Sequence, residues 1–385
     1  MTAMKFGVLG AGMIATIPKG VVSNLHHLRD KIEVTAIADL DGELAASVAR
    51  EYGIPHSFSS LDEMLDFGDF EAVANLTPTP AHVATSLAIL AAGKHLAVEK
   101  PIAETLEGVD AIEEAARAAG VTVVYAPPSM LYPSRREARR LLATGVIGTP
   151  TLVKSRTSTP GPASLPWSTD PRSYYTGHGS LWEIGVYSVY EMITVLNRPV
   201  RSVFGYFGRS EPSRTVPSGP FRGLEVPIET LDNHIISLDF GDAIFGVFDS
   251  TWNVWASQAP RMEIFGRAGT MSIWDNIDHM NPRLDIYRVD TERDLKGWTS
   301  VDFADNRDAR QHAADVQRAS LLEHLVDVVR DGVENEMPFD RARHVMEILV
   351  KAEEAGRTGV SQELTTTFAP SVFETAHNPQ AYLRG

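Results

Sequence analysis

The sequence contains no cysteine among its 385 residues. Disulfide bonds, thiolate metal sites and cysteine nucleophiles are therefore excluded, and we expect a cytoplasmic protein. No uninterrupted apolar run is long enough to span a bilayer. The run Phe6–Ala15 contains three glycines, which makes it a poor signal-peptide helix. We expect no membrane partner.

Positive charge is also scarce, with 35 lysines and arginines against 50 acidic residues and a net charge of −15. This balance argues against nucleic acid as a partner. The 12 histidines are scattered without metal-ligand spacing, so we predict no metal site. The hydrophobic content of 43% is typical of a globular protein, and the length suffices for two domains.

A glycine-rich motif follows the first apolar strand, Phe6–Leu9. It reads Gly10-Ala11-Gly12-Met13-Ile14-Ala15. Gly10 permits a tight turn, Gly12 allows close approach of a pyrophosphate, and Ala15 permits close helix–strand packing. The phosphates would lie at the N-terminus of the next helix. Met13 and Ile14 of the motif are therefore candidate cofactor contacts. The motif predicts a dinucleotide site.

A second predicted strand, Glu33–Ala38, ends at Asp39. An acid here can accept hydrogen bonds from ribose hydroxyls and repels a 2′-phosphate, and the next two residues supply no cation. NAD is therefore favoured over NADP. The distance from Gly12 exceeds the usual ~20 residues, which predicts a long first helix. Asp39 could instead cap the helix Gly42–Glu51, and the two roles are compatible.

Strands and helices continue to alternate up to residue 125. The further predicted strands are Ala72–Leu76, His95–Val98 and Val121–Tyr125. This alternation predicts a doubly wound parallel sheet of the Rossmann type. Ala126-Pro127-Pro128 breaks the pattern, so we predict a cofactor domain over 1–125 and a second domain over 126–385.

Glu99-Lys100-Pro101 comes directly after the strand His95–Val98. Ligand crevices of open α/β sheets lie beyond the carboxyl ends of such strands. Pro101 fixes its own φ and biases Lys100 towards an extended conformation. Lys100 is therefore a candidate for chemistry. The alternative is an ordinary surface Lys–Glu pair.

Taken together, the motifs of the first half resemble the family of glucose–fructose oxidoreductase, inositol dehydrogenase and rhizopine-catabolism proteins (Gfo/Idh/MocA). The matching pieces, in chain order, are Gly10-Ala-Gly-Met-Ile-Ala, Asp39, Thr77-Pro78 with His82, and Glu99-Lys100-Pro101. The resemblance implies that Lys100 is the catalytic lysine, with Glu99 beside it near the cofactor. It also implies that Thr77, Pro78 and His82 line the nicotinamide side of the pocket.

The resemblance continues through the second half, in the turn 145–148, the segment 177–187 and the hairpin 266–273. It implies a C-terminal α+β domain with a large open, mostly antiparallel sheet. The exposed face of such a sheet needs covering, so we expect a homodimer or homotetramer through it.

The segment 177–187, which resembles the family's substrate-site helix, departs from the commonest pattern. Glu183, Gly185 and Tyr187 stand where the family usually has Asp, Gly and His. Residues 183 and 187 share a face of a helix. Tyrosine resembles the branch with glucose–fructose oxidoreductase and dihydrodiol dehydrogenase. A tyrosine of pKa ~10 needs a nearby cation to act as a base near neutrality, a role that suits Lys100. In the alternative, Tyr187 is a half-buried aromatic and Glu183 a solvated acid.

Two further residues are candidates for substrate contact. His178 lies between two glycines, and Trp167 lies in the proline-rich segment Ser158–Tyr175, a possible lid. The alternatives are an exposed histidine and a packed interdomain connection.

Two arginine pairs share a helix face and predict a solvated face rather than a phosphate site. They are Arg135-Arg136 and Arg139-Arg140. The segment 210–228 is predicted to be a long insertion.

The sequence thus predicts an NAD-dependent oxidoreductase that moves a hydride between the nicotinamide and a hydroxyl or carbonyl of a sugar, cyclitol or related polyol. Lys100 and Tyr187 carry the proton transfer, with Glu183 as an orienting carboxylate. Two alternatives stay open. One is an NAD-dependent glycoside hydrolase that oxidises its substrate transiently, and the other is a non-catalytic NAD-binding regulator.

Overall fold

The computed structural model describes residues 2–165, 170–274, 283–290, 295–301 and 307–370. The chain divides into two compact units. The first comprises Met1–Leu131 and Gln311–Met346, and the second comprises Tyr132–Arg310 and Glu347–Gly385. The domain boundary at residue 125 stays a prediction. Residues 311–346, which that boundary assigns to the second domain, group here with the first unit.

The first unit contains a six-stranded sheet in which every neighbouring pair is parallel. Its strands are β1 (Met4–Leu9), β2 (Ile32–Ala38), β3 (His56–Phe58), β4 (Ala72–Asn75), β5 (His95–Val98) and β6 (Val123–Tyr125). The order is β3-β2-β1-β4-β5-β6, so the strand order reverses between β1 and β4, where successive strands begin to be added on the other side of β1. The Rossmann prediction is confirmed, with β3 as a strand that the sequence reading had not included. The reversal point is where such sheets bind ligands.

The helices of this sheet are α1 (Met13–Thr16), α2 (Gly42–Tyr52), α3 (Leu61–Phe67), α4 (His82–Ala91) and α5 (Leu106–Ala119). The prediction of a long first helix is wrong. The helix α1 has only four residues, and a turn with a 3₁₀ helix, Val22–Leu28, fills the connection to β2. Asn24 stabilises this connection because its amide donates to the carbonyls of Pro18 and Gly20.

The second unit is built on a nine-stranded sheet. Its strands are β7 (Pro150–Arg156), β8 (Ser202–Gly208), β11 (Asn233–Asp239), β12 (Phe245–Thr251), β13 (Met262–Gly266), β14 (Gly269–Ile273), β15 (Leu284–Asp290), β16 (Leu295–Ser300) and β17 (Gln362–Glu363). The order is β16-β15-β14-β13-β7-β12-β11-β8-β17, and only the β7–β12 pair is parallel. The prediction of a large, mostly antiparallel sheet is confirmed.

The remaining α-helices among the described residues are α6 (Pro133–Ala143), α7 (Arg172–Thr176), α8 (Val186–Leu196), α9 (Arg307–Val316), α10 (Ser320–Asp331) and α11 (Phe339–Thr358). The helix α6 packs against α8, which in turn packs against β7. Arg135 on α6 is fully buried, and its guanidinium lies 3.2 Å from the carboxylate of Glu191 on α8. Arg139 is also buried. The prediction of a solvated arginine face is therefore wrong for these two residues, because their helix face forms part of the core.

The segment 210–228 forms a short hairpin rather than a loop. Its strands are β9 (Ser213–Thr215) and β10 (Glu225–Pro227). Apolar side chains of the segment pack with Tyr175 and Trp252 in one hydrophobic cluster. Arg214 donates to the carbonyl oxygens of Pro160 and Trp252. The hairpin thus contacts both ends of the segment Ser158–Tyr175, at Pro160 and at Tyr175.

Candidate cofactor and substrate sites

The glycine loop after β1 adopts the conformation that the motif predicts. Gly10 has φ +102°, and a Cβ there would lie 2.8 Å from the carbonyl oxygen of Leu76, so only glycine fits. A Cβ on exposed Gly12 would meet no atom within 4 Å. The surface beside Gly12 and the first residues of α1, Met13 and Ile14, is therefore open to a diphosphate.

Asp39 ties the end of β2 to this glycine loop. Its Oδ2 accepts the N–H of Ala11 at 2.8 Å, and its Oδ1 accepts the N–H of Asp41 at 2.9 Å. The capping interpretation of Asp39 is wrong, because Asp41 caps α2 by accepting the N–H groups of Glu43 and Leu44.

Each carboxylate oxygen of Asp39 has a second lone pair, so ribose hydroxyls can still bind there. The next side chain, Leu40, is 93% exposed and carries no charge. These two residues give the loop the electrostatic character of an NAD site rather than of an NADP site.

Asn75, at the end of β4, organises the loop that contains Thr77 and Pro78. Its Oδ1 accepts the Thr77 hydroxyl at 2.8 Å, and its amide donates to Thr85 at 2.8 Å on α4. Asn75 is fully buried, whereas Pro78 is exposed. The sequence analysis missed Asn75. Its signal was a polar residue within an apolar strand at the reversal point of the sheet.

His82 links the same loop to the lysine segment after β5. Its Nδ1 lies 2.7 Å from the carbonyl oxygen of Pro101, and its Nε2 lies 2.7 Å from that of Thr77. The ring is 1% exposed. Both ring nitrogens are thus engaged by backbone, and His82 holds two loops together rather than presenting a nitrogen to a ligand.

The segment that carries Lys100 is braced by its neighbour. Glu99 is 5% exposed, and its Oε2 accepts the backbone N–H of Lys100 at 3.0 Å. Lys100 is half-buried, and a cis peptide bond joins it to Pro101. Glu99 therefore shapes the backbone at Lys100 and is not the exposed partner of a surface pair.

In the second unit, Glu183 and Tyr187 lie on two different kinds of helix. Glu183 belongs to a π-helical turn, Leu181–Gly185, and Tyr187 belongs to the first turn of α8. A single α-helical face is therefore not the correct description of this pair, since a π turn widens the helix. Glu183 is half-buried, and Tyr187 is 5% exposed. Isolated π turns are frequent at functional sites.

Two residues that the sequence analysis had not selected, Trp182 of this turn and Glu353 of α11, are joined by a hydrogen bond. The indole Nε1 of Trp182 donates to Oε1 of Glu353 at 2.6 Å, and the ring of His178 lies 5.4 Å from that of Trp182. Burial raises the pKa of Glu353, against the opposing effects of Trp182 and His178. Nothing in the sequence pairs Trp182 with Glu353, because a long stretch of chain separates them. Trp167 lies outside the described residues.

A buried serine–histidine group fixes the start of the π turn. The hydroxyl of Ser180 lies 2.8 Å from Nδ1 of His234 on β11, and it donates to the carbonyl oxygen of Ser250 at 2.9 Å. Burial lowers the pKa of His234 to about 4, although Ser250 and Asp232 act in the opposite direction. His234 is 1% exposed, so this group is structural.

Within the described ranges, no three His, Asp or Glu side chains are arranged to hold a metal ion. No helix of the described chain combines the length and the apolarity that crossing a membrane requires.

Comparisons with known proteins identify the family. Residues 4–126 match the oxidoreductase family with an NAD-binding Rossmann fold (GFO/IDH/MocA). Residues 135–272 match the GFO/IDH/MocA C-terminal domain. The chain therefore belongs to the Gfo/Idh/MocA oxidoreductase family, and its first unit contains the family's NAD-binding domain.

Two relatives of known activity cover most of the chain. Trans-1,2-dihydrobenzene-1,2-diol dehydrogenase of Sus scrofa is 29% identical over 71% of this chain and 75% of its own length. Levoglucosan dehydrogenase of Pseudarthrobacter phenanthrenivorans is 26% identical over 69% of this chain and 70% of its own length. With other relatives the match is shorter and covers 55% or 44% of their lengths, so the chain spans about half of those proteins.

A solved structure of levoglucosan dehydrogenase in complex with NADH and L-sorbose has the same fold. It superimposes with a TM-score of 0.79 at 19% identity, and the match covers 94% of this chain and 99% of the other. At this identity the likeness concerns the fold.

Proposed function

We propose that the protein is an NAD-dependent dehydrogenase or reductase that acts on a hydroxyl or carbonyl group of a sugar, cyclitol or related polyol. The observation that carries this proposal is the braced lysine segment at the reversal point of the sheet. Glu99 accepts the N–H of Lys100, and His82 engages the carbonyl of Pro101. Such bracing keeps a reactive side chain in one geometry.

The cofactor part of the proposal rests on the first unit. The open surface at Gly12 admits the diphosphate, and Asp39 accepts ribose hydroxyls while it repels a 2′-phosphate. Thr77 and Pro78 supply the loop on the nicotinamide side. The bound nicotinamide supplies hydride chemistry, and the protein residues orient the substrate and move the proton.

The proton chemistry is assigned to three residues. During oxidation the phenolic oxygen of Tyr187 accepts the proton of the substrate hydroxyl, and during reduction it returns a proton to the carbonyl oxygen. The Lys100 ammonium stabilises the negative charge that develops on the substrate oxygen. Glu183 orients a substrate hydroxyl or the tyrosine. His178 and Trp167 are proposed substrate contacts.

The substrate class is supported by the relatives' names. One relative is a levoglucosan dehydrogenase and another is a dihydrodiol dehydrogenase. Both names describe oxidation of ring-bound hydroxyl groups. A cyclic polyol therefore fits the proposal better than an open-chain acid.

The decisive experiment measures NADH absorbance while the wild-type protein is incubated with NAD and each member of a panel of sugars, inositols and 1,6-anhydrosugars. We expect one or a few of these compounds to cause reduction of NAD to NADH. Lys100→Met and Tyr187→Phe should each lower kcat by at least about 100-fold, in the range of a lost proton-transfer group. The matched controls, exposed Lys296→Met and Tyr206→Phe, should retain wild-type activity.

Absence of net reduction, with NAD still bound, would refute the dehydrogenase proposal. Cleavage of glycosides by that same protein, without accumulation of NADH, would then favour a hydrolase with internal oxidation. Failure to turn over glycosides and keto sugars as well would favour a non-catalytic regulator.

We further propose that two or four copies assemble through the outer face of the nine-stranded sheet. Tyr206 on β8 and Ile235 on β11 are direct cross-strand partners, and they are 74% and 55% exposed. Phe245 on β12 is 50% exposed. Large exposed apolar side chains on neighbouring strands are typical of a protein interface, and a second copy presents the same face.

A further inference from the structure

Trp182, His178 and Glu353 form a contact group in the second unit that we call the indole cluster. The 2.6 Å hydrogen bond joins the indole N–H of Trp182 to the carboxylate of Glu353. The ring centroids of His178 and Trp182 are 5.4 Å apart, and the two ring planes are tilted by 39°. Trp182 is 5% exposed. A hydrogen bond to a carboxylate in such surroundings is shorter and stronger than one between neutral groups.

The cluster bears directly on the π turn. Trp182 and Glu183 are consecutive residues of the turn Leu181–Gly185. At the far end of the turn, Gly185 packs so closely on β12 that a Cβ would lie 3.0 Å from Oγ of Ser250. The indole holds the near end. The direction in which Glu183 projects therefore depends on where Trp182 is fixed.

We propose that Glu353 is a positioning residue of the substrate side, which holds the indole of Trp182 and thereby sets the orientation of Glu183 and the placement of His178. Glu353 lies on α11, far from the turn in sequence, and acts through Trp182. The kinetic consequences of this inference rest on the proposed function, whereas its structural consequence does not.

Glu353 differs from an ordinary surface acid. Its neighbour Glu354 pairs with Lys351 at 2.8 Å, and the side chain of Glu354 is 37% exposed. Glu353 instead turns its carboxylate inward, where burial raises its pKa. A partly buried carboxylate needs a hydrogen-bond donor, and the indole N–H of Trp182 is the donor here. Glu354→Gln is therefore the matched control for substitutions of Glu353.

The first test measures hydrogen exchange of the Trp182 indole N–H by NMR of the full-length protein labelled with ¹⁵N-tryptophan. Trp182→Phe assigns the signal. Glu353→Leu should accelerate the exchange at least about tenfold, because it removes the acceptor. Glu353→Gln should keep the exchange near the wild-type rate, since the amide oxygen still accepts, and Glu354→Gln should leave it unchanged. Unchanged exchange in Glu353→Leu would overturn the proposal, whatever the substrate is.

The second test measures steady-state kinetics with NAD and the best polyol. Displacement of a substrate-orienting group by about 1 Å can cost about 100-fold in rate. Glu353→Leu and Trp182→Phe should each lower kcat/KM for the polyol by about 10- to 100-fold, with the Kd for NAD unchanged. Glu353→Gln should stay within about threefold of wild type. The variant that combines Glu353→Leu with Trp182→Phe should have the same kcat/KM as the single variants, because each substitution breaks the same hydrogen bond.

The two proposals fail in different ways. If the wild-type protein reduces no NAD with any polyol, the proposed function fails, and the exchange test still decides whether Glu353 holds the indole of Trp182. If polyol is turned over and Glu353→Leu matches Glu354→Gln, the positioning role is overturned. If circular dichroism shows that Glu353→Leu does not fold, Trp182→Phe replaces it, and wild-type kinetics in Trp182→Phe would overturn the proposal.

Discussion

The imidazole of His82 lies 2.7 Å from the carbonyl oxygen of Pro101, the residue that follows Lys100. The same ring lies 2.7 Å from the carbonyl oxygen of Thr77. One buried side chain thus fixes the loops after β4 and β5, two neighbouring parallel strands. The geometry of Lys100 is therefore set by a residue on α4 as well as by Glu99.

His82→Ala should loosen both loops. Buried carbonyl groups that lose a partner cost about 1–3 kcal/mol each, so we expect the free energy of unfolding in urea to fall by about 2 kcal/mol. The value of kcat should fall by at least about tenfold, because Lys100 is no longer held. The exposed control, His27→Ala, should alter neither quantity. A stable but fully active His82→Ala protein would contradict this role.

Cofactor preference should depend on Asp39 and Leu40. Asp39→Ser combined with Leu40→Arg removes the charge that repels a 2′-phosphate and adds one that attracts it. We expect the ratio of kcat/KM for NADP to that for NAD to rise by at least about 100-fold. Asp41→Ala should cost about 1 kcal/mol of stability as a lost helix cap and leave the ratio unchanged. An unaltered ratio in the double variant would contradict the assignment of Asp39.

Acid should destabilise the second unit through His234. Its folded pKa is about 4, against about 6.5 in an unfolded chain, so between these pH values the unfolded state binds more protons. Stability is therefore complete above about pH 6.5, falls as the pH drops, and levels off below about pH 4.

The loss amounts to about 3 kcal/mol, because one pKa unit corresponds to about 1.4 kcal/mol. Urea unfolding at pH 7.5 and pH 5 should show about 2 kcal/mol of this loss, because pH 5 lies about 1.5 pKa units below the unfolded value. His234→Asn should flatten the dependence relative to wild type. The exposed control, His56→Asn, should keep the wild-type slope. Equal slopes in His234→Asn and wild type would contradict the assignment.

A charge on the outer sheet face should disrupt assembly. Tyr206→Glu places a carboxylate opposite Ile235 in the proposed interface, where burial of an unpaired charge is costly. Light scattering coupled to size exclusion should show a dimer or tetramer for wild type and a smaller species for Tyr206→Glu. Leu40→Glu, which changes an exposed apolar residue of the first unit, should not alter the assembly. A wild-type monomer would refute the interface.

Many structural features of the cofactor domain could be predicted from local patterns in the sequence. Gly10 is required by a positive φ next to the backbone of Leu76, and Asp39 follows a strand whose neighbours are all parallel. Backbone sterics and strand alternation are properties of short segments, so the glycine loop and the parallel sheet were predictable. The length of α1 was not, because the turn Ile17–Val21 and a 3₁₀ helix replace a regular helix through side-chain bonds such as those of Asn24.

On the substrate side, fewer features could be predicted from the sequence and more depended on the tertiary structure. The sequence by itself determined that Glu183 and Tyr187 belong to one helical segment and that Lys100 follows a buried strand. Only the tertiary structure decided that Glu183 lies in a π turn whereas Tyr187 lies in an α-helix, that Glu353 engages Trp182, and that Arg135 and His82 face the interior. The physical reason is that secondary structure follows from neighbours in sequence, whereas burial and hydrogen-bond partners follow from packing between segments distant along the chain.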